Sequence, residues 1–191
     1  MATCTLVLLS VVLALSSSLP LSMDTNDSNV CFVSRSEWGA HEPVAETKKL
    51  ESPVPYVVIH HTYRPEVCKS LDSCKLAMRS MQEYHQVDNG WADIVGGEGR
   101  VYEGRGWNVV GAHAVGYNSN GIGIALIGDW VSEAPSQKQL NAAKRLIEIG
   151  VRLGRIAPDY KLIGHRQASA TECPGEALFE EISTWKNFAK M

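Results

Sequence analysis

The chain lacks any run of the about 18 consecutive apolar residues that a bilayer-spanning helix needs, so no membrane span is expected. It lacks an excess of positive charge. Eighteen Lys and Arg face 21 Asp and Glu, a formal net charge of -3, which argues against a basic surface for nucleic acid. It has no internal repeat, which excludes a solenoid, and no low-complexity tract. Basic side chains are nearly missing from its start: Arg35 is the only Lys or Arg before Lys48. Cysteine is scarce as well, at five residues: Cys4, Cys31, Cys68, Cys74 and Cys173. What remains is ordinary for a globular protein. The 191 residues, 45% hydrophobic and 20% charged, amount to about one domain with a real core.

The N-terminus departs from that average. Leu6 to Leu15 is an apolar run, followed by small residues and Pro20, the pattern of a secretory signal peptide over residues 1–22, with cleavage expected within 16–23. Only the terminal amine supplies charge ahead of the run. A buried N-terminal helix is the alternative, but the run is too short to span and too apolar for a surface helix. Residues 23–32 read as a flexible lead-in, and Asn26-Asp27-Ser28 is a glycosylation sequon that fits export. An exported chain meets an oxidising compartment, which favours closing the loop between Cys68 and Cys74. Cys4 leaves with the signal. Cys31 and Cys173 either pair with each other or need separate explanations.

Strand and helix patterns alternate along the rest. "YVVIHHT" (56–62) is a compact Val/Ile run and reads as a buried strand. "SCKLAMRSMQEYHQ" (73–86) reads as a helix, with Ser73 as N-cap and Leu76, Ala77, Ser80, Met81 and Tyr84 on one stripe. "GRVYEGRGW" (99–107) and "GIGIALIGDW" (121–130) read as two strands. Residues 135–154 form the clearest helix: Ser136 is the N-cap, Leu140, Ala143, Ile147, Gly150 and Val151 share a face, and Gly154 ends it. "YKLIGHR" (160–166) is a further strand. Residues 174–185 form a last helix with Leu178, Phe179, Ile182 and Trp185 inward. The alternation predicts a single α/β domain over 33–190, a central mixed β-sheet flanked by helices.

Among the six histidines, His60 ends one predicted strand and His165 follows another, with Cys173 eight positions further on in a loop. Strand ends are where α/β sheets build sites. Two imidazoles and a thiolate make a three-ligand set for zinc, leaving the fourth position for water. A Cys31–Cys173 disulfide with scattered structural histidines is the competing reading of the same residues.

The order of "SRSEWGA" (34–40), "PYVVIHHT" (55–62), "SCKLAMRSMQEYHQVDNGWADI" (73–94), "VGGEGRVYEGRGWNVVGAH" (95–113), "GIGIALIGDW" (121–130) and "LIGHRQASATECPG" (162–175) resembles the peptidoglycan recognition proteins, relatives of the phage zinc amidases. The short, secreted, insect-type members are the most similar. The resemblance implies Zn²⁺ held by His60, His165 and Cys173. It implies hydrolysis of the amide between the lactyl group of N-acetylmuramic acid and L-alanine, in bacterial peptidoglycan or muropeptides, as part of innate immunity. It implies a Cys68–Cys74 disulfide and a catalytic role for Thr171 near the developing oxyanion. It places His61, Thr62, Tyr63, His85 and His113 at the peptide-binding groove or in support of the site. Gly90-Trp91 and Arg105 match the members that prefer diaminopimelate peptides, where a guanidinium meets the extra carboxylate.

The pattern breaks at one place. Asp93-Ile94 runs directly into Val95-Gly96-Gly97, where the family carries a further short segment with its catalytic tyrosine. No tyrosine of this chain matches that position. Removing about five residues, an odd number, also flips the side-chain alternation of a strand, so this strand must find a new register. The alternative function that follows is a peptidoglycan-binding receptor or scavenger without turnover.

Overall fold

The computed structural model describes residues 30–43, 46–86 and 93–190. The expected signal peptide, the sequon and Gly90-Trp91 lie outside the described residues. In chain order the elements are β1 (Phe32–Val33), α1 (Arg35–Trp38), β2 (Val54–His61), α2 (Leu71–Gln86), β3 (Asp93–Val95) and β4 (Val101–Tyr102). There follow β5 (Gly121–Leu126), α3 (Gln137–Arg152), β6 (Ile156–Gly164), α4 (His165–Ala168) and α5 (Glu176–Ser183).

Six strands form one sheet in the order β1-β4-β3-β5-β2-β6. β3 and β4 pair antiparallel and every other neighbouring pair is parallel, so the sheet is mixed, as the alternation of elements predicts. β2 sits between two parallel strands with both faces covered, which is why it tolerates Val57, Val58 and Ile59 in succession, each fully buried. Successive side chains point to opposite faces. Val57 and Ile59 join Ile122, Ile124 and Leu126 of β5, Leu140, Ala143, Leu146 and Ile147 of α3, and Leu178 and Ile182 of α5 in the larger core. Val58 turns the other way, towards Ile163 and Ala114, and His60 shares its parity. Across β5, that opposite face carries Ala125, packed with Trp38 of α1 and Ala77, Met78 and Met81 of α2.

α3 and its Ser136 cap match the expectation: the Ser136 hydroxyl accepts from the Gln139 N–H at 3.4 Å. Its buried face is wider than expected and takes in Ala142, Leu146 and Ile149, while Val151 is only half-buried. α2 corrects two expectations. It starts at Leu71, with the Ser70 hydroxyl accepting from the Ser73 N–H at 3.2 Å, so Ser73 lies inside its first turn. Its buried stripe is Cys74, Ala77, Met78 and Met81, whereas Leu76 is 62% and Tyr84 72% exposed. The Cys68–Cys74 disulfide, as the resemblance implies, forms with its Cα atoms 5.1 Å apart, and both cysteines share a buried cluster with Ala77, Met78 and Met81. The expected strands at 99–107 and 121–130 shrink to β4 and β5. Beyond β4 the chain enters glycine-rich turns and Trp107 packs into the larger core instead.

β3 forms at the place where the sequence pattern breaks. It lies parallel to β5 through Asp93↔Ile124, Ile94↔Ala125 and Val95↔Leu126, and antiparallel to β4. Because Ala125 also pairs with His60, the row across the sheet reads Ile94, Ala125, His60.

Candidate metal centre

His60 reaches the site from the last turn of pleat in β2, His165 from the first residue after β6, and Cys173 from the loop before α5. β2 and β6 are parallel neighbours, with Ile59 opposite Gly164, so the residues that follow each of these two emerge side by side. The His60 and His165 rings lie 4.4 Å apart between centroids. Cys173 Sγ stands 3.8 Å from His60 Nδ1, and one ligand atom from each of the three residues lies within 4.8 Å of the others. A tetrahedral zinc with ordinary bond lengths sets sulfur and nitrogen about 3.5 Å apart, so the donor set fits such an ion. Cys173 forms no disulfide, and the bridge to Cys31 is absent.

The loop is held where it must be. The Arg166 N–H donates to the Cys173 carbonyl at 2.7 Å, and the Arg166 guanidinium donates to the Glu172 carbonyl at 2.8 Å and pairs with Glu176. Gly175 adopts φ +91°, and a Cβ there would fall 2.3 Å from the Trp130 carbonyl oxygen, so only glycine lets the loop pass so close before α5 begins.

Burial sets the charges. It lowers His60 well below the ordinary histidine range, with His113, His165 and His61 adding to the effect. Burial likewise lowers His165, and pushes His113 down to about 4. The imidazoles are therefore neutral at pH 7, as metal ligands must be. Burial pushes the Cys173 thiol up to about 11, opposed by the His61 N–H bonded to its sulfur at 3.4 Å and by Arg166. A buried thiol of that kind keeps its proton until a cation displaces it.

Around this cluster lies an open cleft of about 610 Å³ lined by His60, His61, Tyr63, His85, Ala112, His113, Val131, His165, Thr171, Glu172 and Cys173. His61 is buried, and its Nδ1 accepts from the Trp130 N–H at 3.3 Å, which leaves Nε2 as the protonated nitrogen. Tyr63 has φ +58° and is half exposed. His85 comes from the last turn of α2. Thr171 Oγ1 accepts from the Cys173 N–H at 3.2 Å and retains its own proton. Two expected residues lie outside that lining. Thr62 is buried, its hydroxyl accepting from the Gly128 N–H at 2.9 Å and facing the Pro65 carbonyl. Arg105 donates to the Val110 carbonyl at 3.0 Å and lies near Arg35. Sequence reasoning missed Glu172, Val131 and Ala112 in the cleft, and Arg166 and Trp130 behind it. Only the position of Arg166 beside His165 was a signal.

The chain belongs to the peptidoglycan-recognition proteins of the N-acetylmuramoyl-L-alanine amidase family. The N-acetylmuramoyl-L-alanine amidase family model matches residues 50–176. Peptidoglycan-recognition protein LB of Drosophila melanogaster is 52% identical over 162 residues, which cover 82% of this chain and 69% of that protein. The human N-acetylmuramoyl-L-alanine amidase is 44% identical over 81% of this chain, which spans only 28% of that longer protein. A solved structure of a Drosophila PGRP-LB point mutant in complex with tracheal cytotoxin superposes with a TM-score of 0.81 at 49% identity, covering 85% of this chain and 99% of that one.

Proposed function

We propose that this chain is a secreted, zinc-dependent N-acetylmuramoyl-L-alanine amidase that cleaves the lactyl–L-alanine amide of bacterial peptidoglycan in innate immunity. The observation that carries the reading is the convergence of His60, His165 and Cys173 within 4.8 Å at the floor of an open cleft. These three residues would hold the zinc. When bound, the metal lowers the pKa of a water towards about 7 and polarises the amide carbonyl. The chain's own residues do the rest. Burial keeps the His60 lone pair available at neutral pH. The Thr171 hydroxyl, its oxygen already engaged by the Cys173 N–H, donates towards the developing oxyanion. His61 offers its Nε2–H, and Tyr63 and Val131 supply an apolar wall for the stem peptide. His85 is a further groove contact. Arg105, close to a second guanidinium on Arg35, is the partner for the extra carboxylate of a diaminopimelate peptide, together with Gly90-Trp91. Tracheal cytotoxin, bound by the related PGRP-LB, is a monomeric diaminopimelic acid-type peptidoglycan, which supports this preference.

One observation favours a second reading, a peptidoglycan-binding receptor or scavenger. β3 meets the row of Ala125 and His60 with Ile94, and its three residues include no tyrosine. A positioned proton donor typically contributes about 10²–10⁴ in rate, so a site without it binds and cleaves slowly.

Purified protein incubated with diaminopimelate-type peptidoglycan, with zinc content measured beside released stem peptide, separates the two. The amidase reading expects about one zinc per chain and cleavage abolished by chelator and by Cys173→Ser. Folded, zinc-loaded protein that binds the glycopeptide but releases nothing leaves the receptor reading.

A further inference from the structure

We infer that His113 is the positioning residue for His60, holding the tautomer that leaves the His60 Nδ1 lone pair for a metal. The inference rests on the zinc reading and concerns how this chain prepares the ligand. His60 has two ring nitrogens with different surroundings. Nδ1 faces Cys173 Sγ at 3.8 Å, whereas Nε2 faces His113 Nδ1 at 3.2 Å, with the rings at 87° to each other. A neutral imidazole carries one proton. Placed on Nδ1 of His60, that proton points at the sulfur and blocks coordination. Placed on Nε2, it makes a hydrogen bond to His113 and opens Nδ1. An acceptor on His113 selects the ligating form, which assigns the proton of His113 to its buried Nε2, with the Gly121 backbone as the other polar neighbour of the ring.

The surroundings of His113 fix its ring for this task. The Asn118 side-chain oxygen accepts from both the His113 N–H at 2.7 Å and the Ala114 N–H at 2.9 Å, which locks the turn. The Gly111 N–H donates to the Asn118 carbonyl at 3.0 Å and closes it. The far edge of the ring lies on Gly111: a Cβ there would stand 2.5 Å from His113 Cδ2 and 3.0 Å from Nε2. A side chain at 111 would displace the ring, so glycine is what lets the ring lie against this turn. Metal-bound histidines usually donate their second N–H to a carboxylate, a backbone carbonyl or water. A neutral imidazole in that place orients His60 without adding negative charge, so the Cys173 thiolate is the one anion of the three-ligand set. This gives His113 a task other than touching substrate.

Two readouts test the role. In metal-free protein with ¹⁵N-labelled histidine, long-range ¹H–¹⁵N correlation should show His60 as the Nε2–H tautomer, in the wild type and in His113→Asn, whose amide oxygen replaces Nδ1. In His113→Leu the tautomers should mix. By chelator competition, His113→Leu should bind zinc about 10–100-fold more weakly, and His113→Asn within about threefold of the wild type. Gly111→Ala should weaken zinc in the same direction with His113 still present, and carries the test if His113→Leu does not fold. An Nδ1–H tautomer in the wild type overturns the inference. So does a cooperatively melting His113→Leu with unchanged zinc affinity. A wild-type protein that binds no zinc sinks the metal reading itself, whereas one whose affinity ignores residue 113 sinks the role of His113 alone.

Discussion

Cys173 Sγ stands 3.8 Å from His60 Nδ1 although 113 residues separate the two along the chain. The contact exists because β2 and β6 are parallel neighbours, and because the loop after His165 doubles back under the grip of Arg166. Most of what can be tested follows from how that contact is supported.

Arg166 is the first target. Its guanidinium bonds the Glu172 carbonyl, pairs with Glu176 and lies 4.8 Å from the Phe179 ring. Arg166→Ala should cost about 1–2 kcal/mol of stability in denaturant titrations and weaken zinc binding, because the loop carrying Cys173 loses its tether. Arg166→Lys should restore only part of either effect, since an ammonium cannot reproduce the fork.

Acid should destabilise the metal-free protein through its buried imidazoles. His60, His113 and His165 all have folded-state pKa values lowered by burial, His113 to about 4. A depressed folded pKa contributes stability above the unfolded value of about 6.5 and loses it as pH falls towards the folded one. The urea midpoint should be flat above pH 7 and fall between pH 6.5 and 4. The slope should approach 1.4 kcal/mol per pH unit for each histidine still neutral in the folded state. A midpoint unchanged down to pH 4.5 would contradict the assignment.

Restoring the segment absent after Ile94, with its tyrosine, should raise amide cleavage by about 10²–10⁴ while leaving zinc content unchanged. Single-turnover peptide release, compared between the two proteins at equal zinc loading, measures this. Equal rates would place the proton donor elsewhere in the cleft.

Leu178 is fully buried between α5 and the sheet, where it shares a core with Leu146 and Ile182. Leu178→Ala should cost about 2–5 kcal/mol in chemical unfolding. The loop before α5 should loosen as well, read as faster hydrogen exchange at the Phe179 amide, which donates to the Gly175 carbonyl.

Much of this was legible in one dimension. The Val/Ile run of β2 and the apolar spacing and Ser136 cap of α3 announce their own conformations, because burial of a strand and of a helix face impose periods of two and of about 3.6. The metal-ligand chemistry of His60, His165 and Cys173 was visible as a set of residue types. The sequence does not reveal the buried stripe of α2, because the exposed Leu76 and Tyr84 are as apolar as the residues that are buried. Cys74, bridged to Cys68, lies on the buried side with Ala77, Met78 and Met81. Thr62 and His113 match positions at the groove or in support of the site; Thr62 engages the Gly128 N–H with its hydroxyl, and His113 lines the cleft with its Nδ1 3.2 Å from His60.

The sequence by itself determined the main element types and the chemistry of the ligand set. Each of these depends on residue identity and near neighbours, and such information survives in a linear string. Tertiary structure alone decided that Cys173 meets His60 rather than Cys31, that Ile94 stands in the row of His60, and that the second nitrogen of His60 faces another imidazole. Those are relations between segments tens of residues apart, set by sheet order, register and loop packing, which no local pattern encodes.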